Sequence, residues 1–342
     1  MNTTTIAFFN NKGGVGKTTL AYHLAWMYSE LGYRVVAVDL DPQATLSMML
    51  LGEDRLEEVW LEENQRNTIF ASMLPLLQGL GNISEPHLEF VSDTLALLTG
   101  NINLFQLESN LMECWSTWLY DVKDNNRQKL AFQFISTFWK IMQKVAIAHE
   151  ADFILIDLAP SIGAINHTAL IATDYIVIPL GLDFVSLTAL PHLGMTLQCW
   201  RKQWQEILEK KNFITDIKLP LGTMEPIGYV VTQYPVRLDR PVKTYQNLIT
   251  DIPKVYREAI LNQPQDSNIS LGNDVNCLAL LKTYPGLIHM AQEANKPMFH
   301  LKPADGALGS YMKAVRNVYQ DFESLANAIA KRTGIIKLSQ RA

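Results

Sequence analysis

The chain reads as a doubly wound α/β fold, a mostly parallel sheet with helices on both faces. Short continuous apolar runs bounded by turn residues predict it, as does a glycine-rich loop between the first run and a helical pattern. A third observation is that the same arrangement, an apolar run ending at an aspartate or a proline, returns later in the chain. Continuous apolar runs rich in β-formers are how strands read when helices cover both sides of a sheet.

Residues 4–9 form the first buried strand, and NNKGGVGK follows as a loop. The stretch 18–32 has the length of a helix ending at Gly32, with Leu20, Leu24, Met27 and Leu31 giving one apolar face. Residues 34–38 make a second strand ending at Asp39, so strand, loop, helix and strand open a parallel sheet. Runs at 153–156, ending at Asp157, and at 175–178, ending at Pro179, continue it. Residues 227–231 add a further strand in which Gly228 marks close packing rather than a break.

Between 55 and 150 the pattern is less regular. Residues 127–149 read as one helix packing on strand 153–156 through Leu130, Phe134, Phe138, Ile141, Val145 and Ala148. Phe105, Leu107, Leu111, Trp115 and Trp118 are expected to fill a core between helices. The prolines of 233–273 and the stretch 263–274 predict a loop-like, flexible insertion. Residues 305–332 read as closing helices. With no repeat or linker in view, residues 1–342 are expected to form a single enlarged domain, longer than a compact one at about 60–150 and 215–285.

Composition narrows the function. Apolar residues make up 48% and charged residues 18%, which is a globular balance. With 29 Lys+Arg against 34 Asp+Glu the formal charge is −5, so no broad cationic surface for nucleic acid is advertised. Cys114, Cys199 and Cys277 stand far apart, which argues against a disulfide scaffold or a four-cysteine zinc site and fits a reducing compartment. The apolar start runs at once into Asn10, Asn11 and Lys12, and no run of eighteen apolar residues occurs, so a cytoplasmic protein without an integral membrane segment is expected.

The chemistry concentrates in Lys12-Gly13-Gly14-Val15-Gly16-Lys17-Thr18-Thr19. Glycines let backbone N–H groups curl round phosphate oxygens, and the helix beginning near Lys17 points its positive end at them. In that setting Lys17 binds the β and γ phosphates and the Thr18 hydroxyl ligates magnesium. An ordinary loop of this kind has glycine where Asn11 stands, and Lys12 follows directly. A charge placed there is either a local counterion or a group reaching across to another nucleotide. Asp39, Asp41 and Asp157 sit at or just past the C-terminal ends of predicted parallel strands, where such sheets collect ligands and where carboxylates can hold magnesium and its water. Asp41, within DPQ, has a turn or helix cap as its alternative reading.

Together, KGGVGKTT at 12–19, VAVDLDPQAT at 36–45 and ILIDLAPS at 154–161 resemble the ParA/MinD group of deviant Walker A P-loop ATPases, and most of all its ParA branch of plasmid and chromosome partition proteins. Residues 289–315 echo the switch-like segment that precedes that branch's final helices. The resemblance implies a P-loop NTPase fold and the cofactors ATP and Mg2+. Lys12 becomes the signature lysine that contacts phosphate in the opposite subunit of an ATP-bound homodimer. Asp39 becomes the carboxylate near the metal, Asp41 the switch residue placing the attacking water, and Asp157 the Walker B aspartate. The family's two prolines after that aspartate are reduced here to Ala159-Pro160. A stimulating partner of ParB type or another adaptor, and nonspecific DNA binding with nucleoid association, are also implied, and with no strong general base evident hydrolysis without a stimulator is expected to be slow. Lys313, Arg316, Lys331 and Arg332 are the candidate DNA contacts, though a solvated helix face explains them equally. Other outcomes are recruitment into a multi-protein system such as phage defence, or a membrane-surface switch like the MinD branch, for which the tail after Gly334 is short. An iron-protein relative would need paired cysteines, which the chain lacks.

Overall fold

The computed structural model describes residues 3–61, 67–119, 124–210, 219–234, 243–263 and 269–335. Its strands are β1 (Thr4–Phe8), β2 (Val35–Asp39), β3 (Glu89–Phe90), β4 (Leu95–Leu98), β5 (Phe153–Asp157), β6 (Tyr175–Gly181), β7 (Glu225–Tyr234) and β8 (Cys277–Lys282). They form one sheet in the order β3-β4-β2-β5-β1-β6-β7-β8. Every pairing is parallel except that of the edge strand β3 with β4. β1, β2 and β5 are buried at every position, as their unbroken apolar runs require.

One face of the sheet carries α1 (Lys17–Glu30), α2 (Thr45–Leu51), α11 (Pro285–Glu293) and α12 (Ser310–Thr333), whose apolar residues share a core with Ile6, Phe8, Val35 and Phe153. The other face is covered by α4 (Ile69–Leu77), α5 (Leu107–Leu119), α6 (Asn125–Ile135), α7 (Thr137–His149), α8 (Ala164–Ile171), α9 (Phe184–Lys210) and α10 (Lys243–Ala259), packed on Val36, Val38, Ile154 and Ile156. Short α3 (Glu53–Trp60) follows α2. The doubly wound expectation holds.

Several local expectations change. α1 has no single apolar face: Ala21, Tyr22, His23, Ala25 and Tyr28 are buried with Leu20, Leu24 and Met27, because the helix is enclosed by the sheet on one side and α12 on the other. Residues 127–149 are two helices. At Ser136 the backbone leaves helical geometry (φ −87°, ψ 1°) and the hydroxyl donates to the Phe132 carbonyl at 2.6 Å, letting α6 turn onto α5 while α7 stays on the sheet. Leu130 and Ala148 consequently face solvent, and Ala146 and His149 take the buried positions. Phe105 is also exposed, outside the core that Leu107, Leu111, Trp115 and Trp118 enter.

The proline-rich stretch 233–273 is no simple loop. Leu248, Ile252 and Tyr256 recur every four residues and bury α10 against α9, despite Pro253 inside the helix. Residues 235–242 and 264–268 of that stretch lie outside the described residues. Gly228 does mark close packing: a Cβ there would lie 2.7 Å from the Asn276 carbonyl oxygen, and the β6–β7 register shifts beside it.

Candidate functional site

Because β1, β2, β5, β6 and β7 run parallel, their C-terminal ends and the loops that leave them meet at one edge. The loop after β1 takes its shape from Gly14 and Gly16, both at positive φ (73° and 81°), which side chains disfavour. Gly16 is the N-cap of α1 and offers no side chain, so the first N–H groups of the helix stay available to an anion. Val15 is buried, and its carbonyl accepts the Thr232 hydroxyl at 3.0 Å, while the Gly14 carbonyl accepts from Gln233 Nε2 at 3.2 Å. Asn10 Nδ2 donates to the Pro179 carbonyl at 2.7 Å and its Oδ1 receives the Lys12 N–H at 2.9 Å, tying the loop to β6. Thr232 and Gln233 on β7 thus shape the loop. Nothing in their sequence neighbourhood marks them except that they end a strand.

Lys17 is buried at the start of α1, and its Nζ donates to the Lys12 carbonyl at 3.2 Å. Burial lowers its pKa, while Asp157 and Asp41 act to raise it. Thr18 and Thr19 follow in the first turn and line, with Thr45, Met48 and Tyr22, a cavity of about 570 Å³. A smaller cavity of about 100 Å³ lies between Gly16, Thr19, Thr232, Gln233, Lys282 and Tyr284.

Asp39 and Asp157 are register partners at the ends of β2 and β5, both fully buried. Their surroundings differ. Asp39 accepts from the Ser47 N–H at 2.8 Å, the Ser47 hydroxyl at 2.7 Å and the Asp41 N–H at 3.2 Å, holding α2 and the 40–44 turn against the sheet. Both oxygens of Asp157 are buried with no hydrogen bond of normal geometry. Burial, then the proximity of Asp39, pushes the Asp157 pKa well above the usual carboxylate range, and burial raises that of Asp39 as well. Buried carboxylate oxygens beside a second acid and the Thr18 hydroxyl suit a hard divalent cation. Asp157 and Thr18 are the residues able to hold magnesium directly, with Asp39 behind them. Among the described residues no three His, Cys, Asp or Glu side chains converge on a point, so most ligands of such an ion would be phosphate and water. Asp41 is nearly buried and its Oδ1 accepts the Gln43 N–H at 2.9 Å, which is a turn-capping contact.

Lys12 stands apart from this group. Its Nζ lies 2.5 Å from Asp183 Oδ2 and 3.1 Å from the Ser186 hydroxyl, at the start of α9. Of the eleven residues expected at the site, the loop 12–19 and Asp39, Asp41 and Asp157 all gather at this edge, with Lys12 at its rim. Asp183 and Ser186 were not legible as site residues, because only the β1–β6 pairing brings them beside Lys12.

Comparison with known proteins places this geometry. A family model described as an AAA domain matches residues 3–210. The cell division protein PomZ of Myxococcus xanthus is 28% identical over 235 residues, 67% of this chain and 62% of PomZ. The sporulation initiation inhibitor protein Soj of Bacillus subtilis is 24% identical over 268 residues, 78% of this chain and 85% of Soj. In fold, the chain is similar to a Corynebacterium diphtheriae protein (TM-score 0.70, 23% identity, 96% of this chain and 98% of that one). It is similar also to Cyanothece McdA in complex with ATP (TM-score 0.62, 15% identity, 99% of each chain). The phosphate loop, the carboxylates beyond it and these likenesses agree: the chain belongs to the ParA/MinD family of deviant Walker A P-loop ATPases, and it binds and hydrolyses ATP.

Proposed function

We propose that this ATPase is a positioning switch: two ATP-bound copies close face to face, a partner protein stimulates hydrolysis, and the cycle moves or segregates a cargo. Relatives named for cell division, for sporulation control and for chromosome partitioning support that class of task. The observation that carries the pairing is Lys12. It is a second lysine at the rim of a phosphate cradle already served by Lys17, and exposed apolar side chains leave the same sheet edge. Ile102, Phe105, Ile162, Phe184 and Val185 all follow C-terminal strand ends and are 48–69% exposed. An apolar rim round a charged centre suits a self-complementary interface.

Within one copy, Gly13–Thr19 wrap the phosphates with backbone N–H groups, and Lys17 neutralises the β and γ oxygens. Thr232, Gln233, Lys282 and Tyr284 line the space beside Gly16 and Thr19 that the base would enter. Thr18 and Asp157 would hold magnesium, which would supply further neutralising charge to the phosphates. Asp39 orients the segment that carries Asp41, and Asp41 accepts a hydrogen bond from the attacking water. Lys12 of the second copy completes the charge balance across the interface, so phosphate loss weakens pairing. The chain works as one enlarged domain on one sheet, and exposed lysine and arginine side chains of α12 give the ATP form a modest hold on DNA.

Light scattering of the purified chain with ADP and with ATP tests this. The parent is expected to pair only with ATP. Lys12→Ala loses pairing and most hydrolysis, and Asp41→Ala accumulates the pair. Identical masses in every nucleotide state for all three proteins would overturn the switch.

A further inference from the structure

α5 belongs to the long segment between β4 and β5 to which the phosphate-site motifs give no role. Its Glu108 carboxylate accepts the N–H of Ala164 and, at 3.1 Å, that of Ile165, the first two residues of α8. The N-cap of α8 is Gly163, which has no side chain to meet those donors, and a carboxylate at a helix N-terminus is favoured by the helix dipole. Gly163 also makes room: a Cβ there would lie 2.5 Å from Glu108 Oε1. Elsewhere on α5, Trp115 Nε1 donates to the Thr168 hydroxyl at 3.0 Å, and the Trp115 ring stacks on His167 at 3.6 Å.

α8 in turn holds the loop that follows Asp157. The fully buried Asn166 sends Nδ2 to the carbonyls of Ala159 and Ser161, both at 2.8 Å. The loop reaches the phosphate cradle, since the Pro160 ring lies 4.0 Å from where a Cβ on Gly13 would stand. A proline in place of Ala159 would stiffen this turn through its fixed φ. Alanine does not, and Asn166 grips that carbonyl instead.

We infer that Glu108 is a positioning residue for the metal-nucleotide site: acting through α8 and Asn166, it sets where the Asp157 oxygens stand. This rests on reading Asp157 as the metal-facing carboxylate. Partners behind metal ligands are commonly needed for full metal affinity.

The test uses the full chain with a non-hydrolysable ATP analogue and Mn2+ as the probe, free Mn2+ being read by electron paramagnetic resonance and amide exchange by mass spectrometry. Glu108→Ala, and Gly163→Ala, which pushes the carboxylate aside without removing it, are expected to speed exchange at 158–165 and weaken Mn2+ binding about tenfold. Glu108→Gln keeps an accepting oxygen and is expected to stay within about threefold of the parent. Trp115→Phe breaks the bond to Thr168 but spares the cap, and is expected to lower stability with Mn2+ binding unchanged. Parent-like Mn2+ binding in Glu108→Ala, or an equal loss in Trp115→Phe, would overturn the inference. A parent that bound no Mn2+ with the nucleotide would instead remove the reading of the site on which it rests.

Discussion

Lys12 spends its charge within its own chain, and that sets a condition on any reach across an interface. The Asp183 side chain is 41% exposed and that of Lys12 26%, so water screens the pair and its net worth is about 1 kcal/mol or less. Burial acts to raise the Asp183 pKa, but hydrogen bonds from Lys12 and Ser186 outweigh it and hold the carboxyl below its usual range. Release of Lys12 is therefore cheap, and Asp183→Asn should make it cheaper. Because each copy releases one Lys12, ATP-dependent pairing is expected at a concentration lower by up to about thirtyfold in that variant. A midpoint equal to or above the parent's in a dilution series would show that Asp183 does not compete for Lys12. A second residue-scale expectation concerns His23, whose Nδ1 faces the Thr19 carbonyl at 2.8 Å while Nε2 accepts the Met298 N–H at 3.2 Å. That pattern requires the neutral ring, and burial pushes its pKa down to about 4. The unfolded chain takes up this proton first, so the contribution of His23 is present above about pH 6.5 and falls away as pH drops toward 4, by roughly 3 kcal/mol in all. Asp39 and Asp157, raised in the folded state, act with the opposite sign, so the comparison must be with His23→Gln. Urea unfolding between pH 7 and 4 should show a shallower acid loss in the variant, and coincident slopes would exclude the assignment. Residues 12–19 were legible because glycine geometry and phosphate chemistry are local. Thr232, Gln233, Asp183 and Ser186 were not, because strand order rather than sequence spacing brings them to the cradle.

At the scale of elements, the tetrapeptide Leu-Ala-Leu-Leu occurs at 95–98 and again at 278–281, and both copies are strand. Neither has a β-branched residue, and leucine and alanine favour helix intrinsically. Pairing with β2 and with β7 decides the outcome, which is why β4 and β8 escaped a reading based on propensity. β1, β2 and β5 carry their burial in the sequence itself and were found within a residue of their ends. α10 shows the reverse case, where a proline read as a breaker is tolerated because the buried stripe on the helix outweighs the lost hydrogen bond. The α9–α10 crossing depends on Gly194, where a Cβ would stand 2.1 Å from the Ala259 carbonyl oxygen. Backbone cannot yield as a side-chain tip can, so the helices must separate. Gly194→Ala is expected to cost about 1–3 kcal/mol in denaturant unfolding while leaving the ATP affinity of the folded chain unchanged. A loss below about 0.5 kcal/mol would mean that the two helices are not in the close contact described.

For the whole molecule, a net charge of −5 does not settle how DNA would be met, because the distribution of charge matters more than its sum. α12 carries Lys313, Arg316, Lys331 and Arg332, all exposed. Arg332 already donates to the Val275 carbonyl, which leaves three cations on the helix with no acid partner among the described residues. Lys313 and Lys331 are five turns apart, so they lie on the same side of the helix about 27 Å from one another. Arg316 sits one turn from the first. Each phosphate neutralised contributes about −0.9 to the slope of log affinity against log salt. Three contacts per copy therefore limit the slope to about −2.7 for one copy and −5.4 for a pair. Filter retention of duplex DNA across a salt series is expected to give a value near the larger limit with ATP, and little retention with ADP. Lys331→Ala should make the slope shallower by about 2 in the pair, one contact from each copy, whatever the DNA sequence. An unchanged slope in that variant would place the contact elsewhere on the molecule, and retention indifferent to nucleotide would separate DNA binding from the pairing that Lys12 is proposed to control.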